Sequence, residues 1–189
     1  MGNSLVSRSQ YKTYAGISSS NQDAKIDSLI PIVSAFVKSY CRRTFVDYYD
    51  TEKTEYFRGG DGFYPKELPI VEVTSLEYSL DYGKTFSPMA EFTDYVIDQE
   101  TSQIVPASSI SFTERVNGYR LTYKGGYESI PEDLMVAVFD MITYYIKNDS
   151  AIHSPKVPGS NTVQIEYISS SSLPANIKRV LDIYKDNWI

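Results

Sequence analysis

The sequence predicts an α+β protein: a small helical bundle of three main helices with a large antiparallel β insertion between the first and second. Three observations carry this expectation. Apolar residues at 3- and 4-residue spacing form a helical stripe from Ile26 to Tyr40, and helical patterns return only after Gly125-Gly126. Between residues 44 and 127, short aromatic and β-branched runs alternate with glycine-rich turns. The second helical segment is apolar on nearly every side, so it must be covered by other elements. The expected organisation is an N-terminal arm over 1–19, a helical part made of 20–43 and 128–189, a β insertion over 44–127, and a linker over 149–172 within the helical part.

The arm is polar and serine-rich, extended or a short helix at best. In the first main helix, Ile26, Leu29, Ile30, Val33, Phe36, Val37 and Tyr40 share one face, with Ser20 as the expected N-cap and Asp23 three residues on. Pro31 lacks an N–H and crowds the carbonyl of Asp27, which predicts a kink or a restart, not loss of the helix. The β signal opens with Thr44–Tyr49 and Lys53–Phe57. Gly59-Gly60-Asp61-Gly62 then reverses the chain, and Pro65 and Pro69 hand over to a half-buried strand, Ile70–Tyr78. Asp81-Tyr82-Gly83-Lys84 is a turn. Shorter strands are expected at Phe92–Ile97, Gln103–Val105, Ser109–Glu114 and Tyr119–Tyr123, with Asn117-Gly118 as the hairpin turn between the last two.

Ile130-Pro131-Glu132-Asp133 opens the buried helix: proline loses nothing at the first helical position, and the acids suit the positive helix end. Lys147-Asn148-Asp149 closes it. The linker holds Pro155, Pro158, Gly159 and four serines, Ser169 to Ser172, with one candidate strand at Val163–Ile168. Pro174 opens the last helix, in which Leu173, Ile177, Val180, Leu181, Tyr184 and Trp188 share an apolar face. A helix of about 15 residues is barely stable alone in water, so this stripe must find a surface. That surface is either the chain's own buried helix or a partner protein, and the long serine-rich tether suits a reaching element.

Composition narrows the chemistry. At 189 residues the chain fits one ordinary domain or one with a large insertion. Seventeen tyrosines suit extensive interfaces or, equally, the filling of strands. A net charge of −6 argues against tight non-specific nucleic-acid binding, which needs clustered cations. The nearest cluster, Lys38, Arg42 and Arg43, reads as a helix end. One cysteine, Cys41, lies on an apolar stripe, and one histidine, His153, has no acid beside it, so neither a nucleophile–base pair nor a zinc site is expected. Neither Gly-Gly pair opens a phosphate loop. Asp61, Glu114 and Glu128 read as turn and strand-end residues, not as a glycosidase carboxylate pair. Val6 stands where a myristoylation start needs Ser or Thr, and no apolar run approaches the ~20 residues of a membrane span. The expectation is a soluble, non-enzymatic protein made in a reducing cytoplasm, with no catalytic, cofactor or metal site.

Three stretches carry a resemblance. Asp27-Ser28-Leu29-Ile30 through Ser39-Tyr40-Cys41-Arg42-Arg43-Thr44-Phe45 ends a helix in an aromatic, a small residue, arginine and Phe. Leu68-Pro69-Ile70-Val71-Glu72-Val73-Thr74-Ser75-Leu76 begins a long strand. Leu121-Thr122-Tyr123-Lys124-Gly125-Gly126-Tyr127 leads into Ile130-Pro131-Glu132-Asp133-Leu134. In this order, and with the end helix, they resemble the head–tail adaptor (connector, or head-completion) proteins of tailed bacteriophages over residues 20–148 and 173–189. The β region is longer than in the small, mainly helical members.

The resemblance implies a structural virion protein of the neck, assembled in the bacterial host cytoplasm. Such a protein forms a ring of typically twelve copies between the portal protein and the next neck or tail protein, and extends a channel through which DNA passes without specific binding. It also implies that terminal segments dock on the portal, which makes Leu173, Ile177, Val180, Leu181, Tyr184 and Trp188 the candidate portal-binding residues. Other classes remain: a different neck or tail-completion module, a glycan-binding β module using Trp188 and tyrosines, or a hydrolase.

Overall fold

A computed structural model describes residues 3–107, 111–147 and 173–185. The class is mixed α+β, with antiparallel sheets, and the chain divides into two units. Ser4–Arg42 and Ile130–Lys185 make a helical unit; Arg43–Ser129 makes a β unit. The linker over 149–172, with its candidate strand Val163–Ile168, lies outside the described residues.

In the helical unit, α1 (Arg8–Ala15) is a short helix within the expected arm. Its N-cap is reciprocal: the Gln10 N–H donates to Ser7 Oγ at 3.2 Å, while the Ser7 N–H donates to Gln10 Oε1 at 2.8 Å. α2 (Asp23–Cys41) runs unbroken through Pro31. It starts two residues later than a Ser20 cap would place it, behind Gln22 with no side-chain cap. Asp23 is instead paired with Lys12 at 2.7 Å, an interaction that holds its carboxyl below the usual range. α3 (Glu132–Lys147) buries Leu134, Ala137, Val138, Phe139, Met141 and Ile142. α4 (Ala175–Tyr184) packs on α2 and α3.

Tyrosines clasp these helices at their seams. Tyr11 shares a hydrogen bond with Thr143 (3.0 Å), and Tyr14 donates to Asp140 (2.9 Å), both joining α1 to α3. Tyr40 donates to Asp182 (2.5 Å), joining α2 to α4, and Tyr184 donates to Asp133 (2.6 Å), joining α4 to α3. The hydrogen bond that Tyr40 donates to Asp182 pushes its pKa up to about 12, because the phenol must keep its proton to make it, and burial and the carboxylate's charge add to the effect.

The β unit contains β1 (Lys53–Phe57), β2 (Ile70–Tyr78), β3 (Ser87–Met89), β4 (Tyr95–Ile97), β5 (Ile104–Pro106) and β6 (Tyr119–Gly125). Four form an antiparallel sheet in the order β1-β6-β2-β3, and β4 pairs with β5. The inward positions of β6 (Tyr119, Leu121, Tyr123) meet Leu76, Phe63, Tyr95, Ile104 and Phe112 in one core. Aromatic rings dominate it: Phe57 stacks on Phe63 with centroids 4.3 Å apart, and Phe112 lies 4.9 Å from Tyr119.

Three strand expectations are corrected. Thr44–Tyr49 forms bends rather than a strand, because Phe45 is left-handed (φ 67°) and the N–H groups of Thr44 and Phe45 are taken by a side chain. The strand expected from Phe92 begins only at Tyr95, with Phe92 in the preceding turn. Asn117-Gly118 joins no hairpin, since β6 pairs with β1 and β2, while Phe112 makes a single bridge to Gly60.

The side chain that takes those N–H groups is Glu67, only 1% exposed. Its carboxylate accepts from Thr44 N–H (3.0 Å), Phe45 N–H (3.2 Å) and Lys53 Nζ (2.9 Å). Lys53 also pairs with Glu55 at 2.9 Å. Burial opposes charge on Lys53, but the two carboxylates outweigh it and hold its pKa above the ordinary value. Tyr123 donates to Glu55 (3.1 Å) and accepts from the Glu67 N–H (3.0 Å); burial, reinforced by Glu55, keeps its phenol un-ionised far beyond its usual range. Around this cluster the backbone closes tightly. The Gly126 N–H donates to Pro69 O at 2.9 Å, the Tyr127 N–H donates to Phe45 O at 2.7 Å, and a Cβ on Gly126 would lie 2.1 Å from Phe45 O.

Removing the carboxylate strands two backbone donors and takes one of its two carboxylate partners from the half-buried Lys53 ammonium. Glu67→Ala is therefore expected to cost about 3–5 kcal/mol in urea unfolding. Adding Lys53→Met to that variant should recover part of the loss. A cost below about 1 kcal/mol, the range of an ordinary surface pair, would show that the cluster does not hold the unit together.

Candidate functional site

The connection from β2 to β3 is a compact loop knotted by Asp81. Its carboxylate accepts from Ser79 Oγ (2.8 Å), Lys84 N–H (3.0 Å), Thr85 N–H (2.8 Å) and Thr85 Oγ1 (2.7 Å). Ser79 Oγ in turn accepts from Gly83 N–H at 2.8 Å. These donors, the Thr85 N–H foremost, hold the Asp81 carboxyl far below the usual carboxylate range.

The loop leans on the 115–118 turn. The Ser79 N–H donates to Gly118 O at 2.8 Å, and the Arg115 guanidinium donates to Leu80 O and lies 5.7 Å from the Tyr82 ring centre. On this ordered frame sit Leu80 (69% exposed), Tyr82 (68%) and Val116 (47%). An apolar group presented to water by a fixed loop stabilises no core of its own, but suits a protein partner. The sequence marks Asp81–Lys84 only as a turn. The available signal was two large apolar residues, Leu80 and Tyr82, within a segment whose turn chemistry asks for none.

Of the six candidate residues of the last helix, the five that are described fall on different sides. Leu173 (8% exposed), Ile177 (3%) and Leu181 (0%) are buried within the helical unit's own core. Val180 is half-buried, and Tyr184 is half-buried with its hydroxyl on Asp133. Trp188 lies outside the described residues. Of the two surfaces open to the stripe, its inward side thus takes the chain's own helices.

Cys41 is buried, and its Sγ donates weakly to Leu181 O at 3.5 Å; His153 lies outside the described residues. No group of three potential metal ligands occurs among the described residues, and no helix among them is long and apolar enough to cross a membrane. An open depression of about 520 Å³ beside α1 is lined by Arg8, Lys12 and Asp23. Its cations are already matched, Arg8 by Asp27 at 2.6 Å and Lys12 by Asp23.

A family model described as head completion protein matches residues 4–187. The chain belongs to the head completion protein family. This is the family that the three sequence stretches resemble, and two of them, Arg43-Thr44-Phe45 and Gly125-Gly126-Tyr127, meet around Glu67. Comparison with curated proteins finds no match. Among solved structures, this family member is similar to a chain from the neck of an empty GTA particle computed with C6 symmetry: TM-score 0.57, 15% identity, covering 100% of this chain and 97% of that one. It is also similar to a chain from the neck of a native GTA particle computed with C12 symmetry: TM-score 0.54, 15% identity, with coverage of 100% and 97%. At this identity the likeness establishes a shared fold.

Two outcomes follow for the head completion chain. The carboxyl carbon of Asp81, followed by NMR, should titrate well below the ordinary aspartate value of about 3.9, and a midpoint at that value would contradict the knotted loop. Because Ile177 and Leu181 are buried, a chain lacking residues 173–189 should lose the cooperative unfolding of its helical unit. Retention of full helical circular dichroism and an unchanged midpoint would return the stripe to a docking role.

Proposed function

We propose that this protein is a structural component of the virion neck, forming a ring between the portal and the next neck or tail protein and extending the DNA channel. The observation that carries this reading is the head completion family match over residues 4–187. The neck origin of the similar structures supports it, and the C12 symmetry of one supports a ring of twelve copies.

In this reading the helical part, 20–43 with 128–189, is a bundle into which the β region 44–127 is inserted. The inserted part is the acidic one. Among the described residues of the β unit, eight Lys and Arg stand against fifteen Asp and Glu. An acidic wall lets DNA pass without the phosphate contacts that would retard it. Leu80, Tyr82 and Val116 offer an apolar anchor to the adjoining neck protein. Portal contact by the last helix rests with its half-buried members Val180 and Tyr184, and with Trp188, because the rest of the stripe is committed inside.

The test is mass measurement of purified portal rings mixed with the full chain. The expected result is a complex gaining up to one copy per portal subunit. Intact portal that gains no mass at micromolar chain would overturn the reading. Leu80→Ser with Tyr82→Ser should leave the chain folded and portal-bound but yield DNA-filled heads without tails; normal infectivity would remove the tip from the interface.

A further inference from the structure

We propose that the Ser87–Ala107 segment of one copy docks on the outer side of α4 of a second copy, with Phe92 as the anchor. This rests on the ring reading and names the contact that would build the ring.

The first observation is Phe92 itself. It is 80% exposed and left-handed, with φ 65°. A bulky side chain is disfavoured there, because its Cβ crowds the following carbonyl, and glycine would relieve the crowding. The turn is nevertheless tightly made. The Phe92 N–H donates to Tyr95 O at 2.7 Å, the Ala90 N–H donates to Asp94 Oδ2 at 2.7 Å, and the Ala107 N–H donates to Asp94 O at 3.0 Å. A strained position that offers its ring to water gains nothing from it within the subunit. Strain retained at such a place points to function elsewhere.

The second observation is charge. Ser87–Ala107 carries Glu91, Asp94, Asp98 and Glu100 and no Lys or Arg. The described helical unit has the opposite balance, nine Lys and Arg against six Asp and Glu. On α4, Lys178 and Arg179 are exposed, and Ile183, one turn beyond Arg179, is 69% exposed. An exposed aromatic residue beside Glu91 and Asp94 in an acidic segment thus has its complement, an exposed aliphatic residue with Arg179 one turn before it, on the same chain. A second copy is the partner that this complementarity selects. Because the two surfaces differ, the contact is heterologous, the kind that repeats around a closed ring.

The experiment uses the full chain, alone in sedimentation equilibrium at low and high salt, and on purified portal rings by mass measurement. Wild-type association should weaken with salt. Phe92→Gly should keep or raise the thermal midpoint of the subunit while weakening copy-to-copy association roughly tenfold or more, the loss expected of a truncated hot spot. Glu91→Lys with Glu100→Lys should also weaken it, as should Lys178→Glu with Arg179→Glu, and the four changes in one chain should restore it. Where wild-type copies meet only on the portal, the same comparison is read as copies bound per ring.

Unchanged association of Phe92→Gly, or failure of the four-change chain to recover, would overturn the contact. If wild type and variants alike complete rings on the portal, this inference falls and the neck reading stands. If wild type neither self-associates nor binds portal, both fall.

Discussion

A carboxylate shut away from water must be answered by donors on every side, and Glu67 sets that requirement for the β unit. Its carboxylate is answered from two distant stretches of chain, the backbone just after α2 and the start of β1, while its own N–H donates to Tyr123 near the end of β6. Once these are fixed, little freedom is left. The chain leaving α2 must turn left-handed at Phe45, and the chain leaving β6 must pass so close that only glycine fits at position 126. Polar demand therefore bears on where β1 begins and where β6 ends. The aromatic core then fills the space between.

The helical unit solves a similar problem differently. Its interior is mainly aliphatic, and much of its polar fastening lies at the rim, where phenol groups of Tyr14, Tyr40 and Tyr184 reach aspartates on neighbouring helices. This accounts for part of the tyrosine content that the sequence leaves open between interfaces and strand filling. Each ring covers apolar surface while its hydroxyl ties two helices together. Helices that are individually short, such as α1 and α4, gain a fixed orientation from these ties.

Much of this was readable from the residues. The stripe from Ile26 to Tyr40 gives α2, the apolar run after Pro131 gives α3, and the alternation after Pro69 gives β2, because each is a local periodic pattern. The family was legible because its marks are the residues that local backbone geometry demands. What escaped is non-local. Pairing of β1 with β6 spans more than sixty residues and leaves no periodic trace. Glu67 reads as an ordinary surface acid beside a proline until its partners are seen. The left-handed backbone at Phe45 and Phe92 contradicts the side chains' own preference, so the sequence suggests strand at both. The fate of the last helix was undecided, since an amphipathic stripe shows that a surface exists without saying whose.

The placement of Cys41 has a consequence for the particle. It is the chain's only thiol, and it is fully buried with its sulfur against the α4 backbone. Oxidation and disulfide exchange both begin with an accessible thiolate. In an assembly that crowds many identical copies together, an exposed thiol would invite cross-links between neighbours and freeze whatever register they first found. Sealed between α2 and α4, Cys41 is withheld from such cross-links.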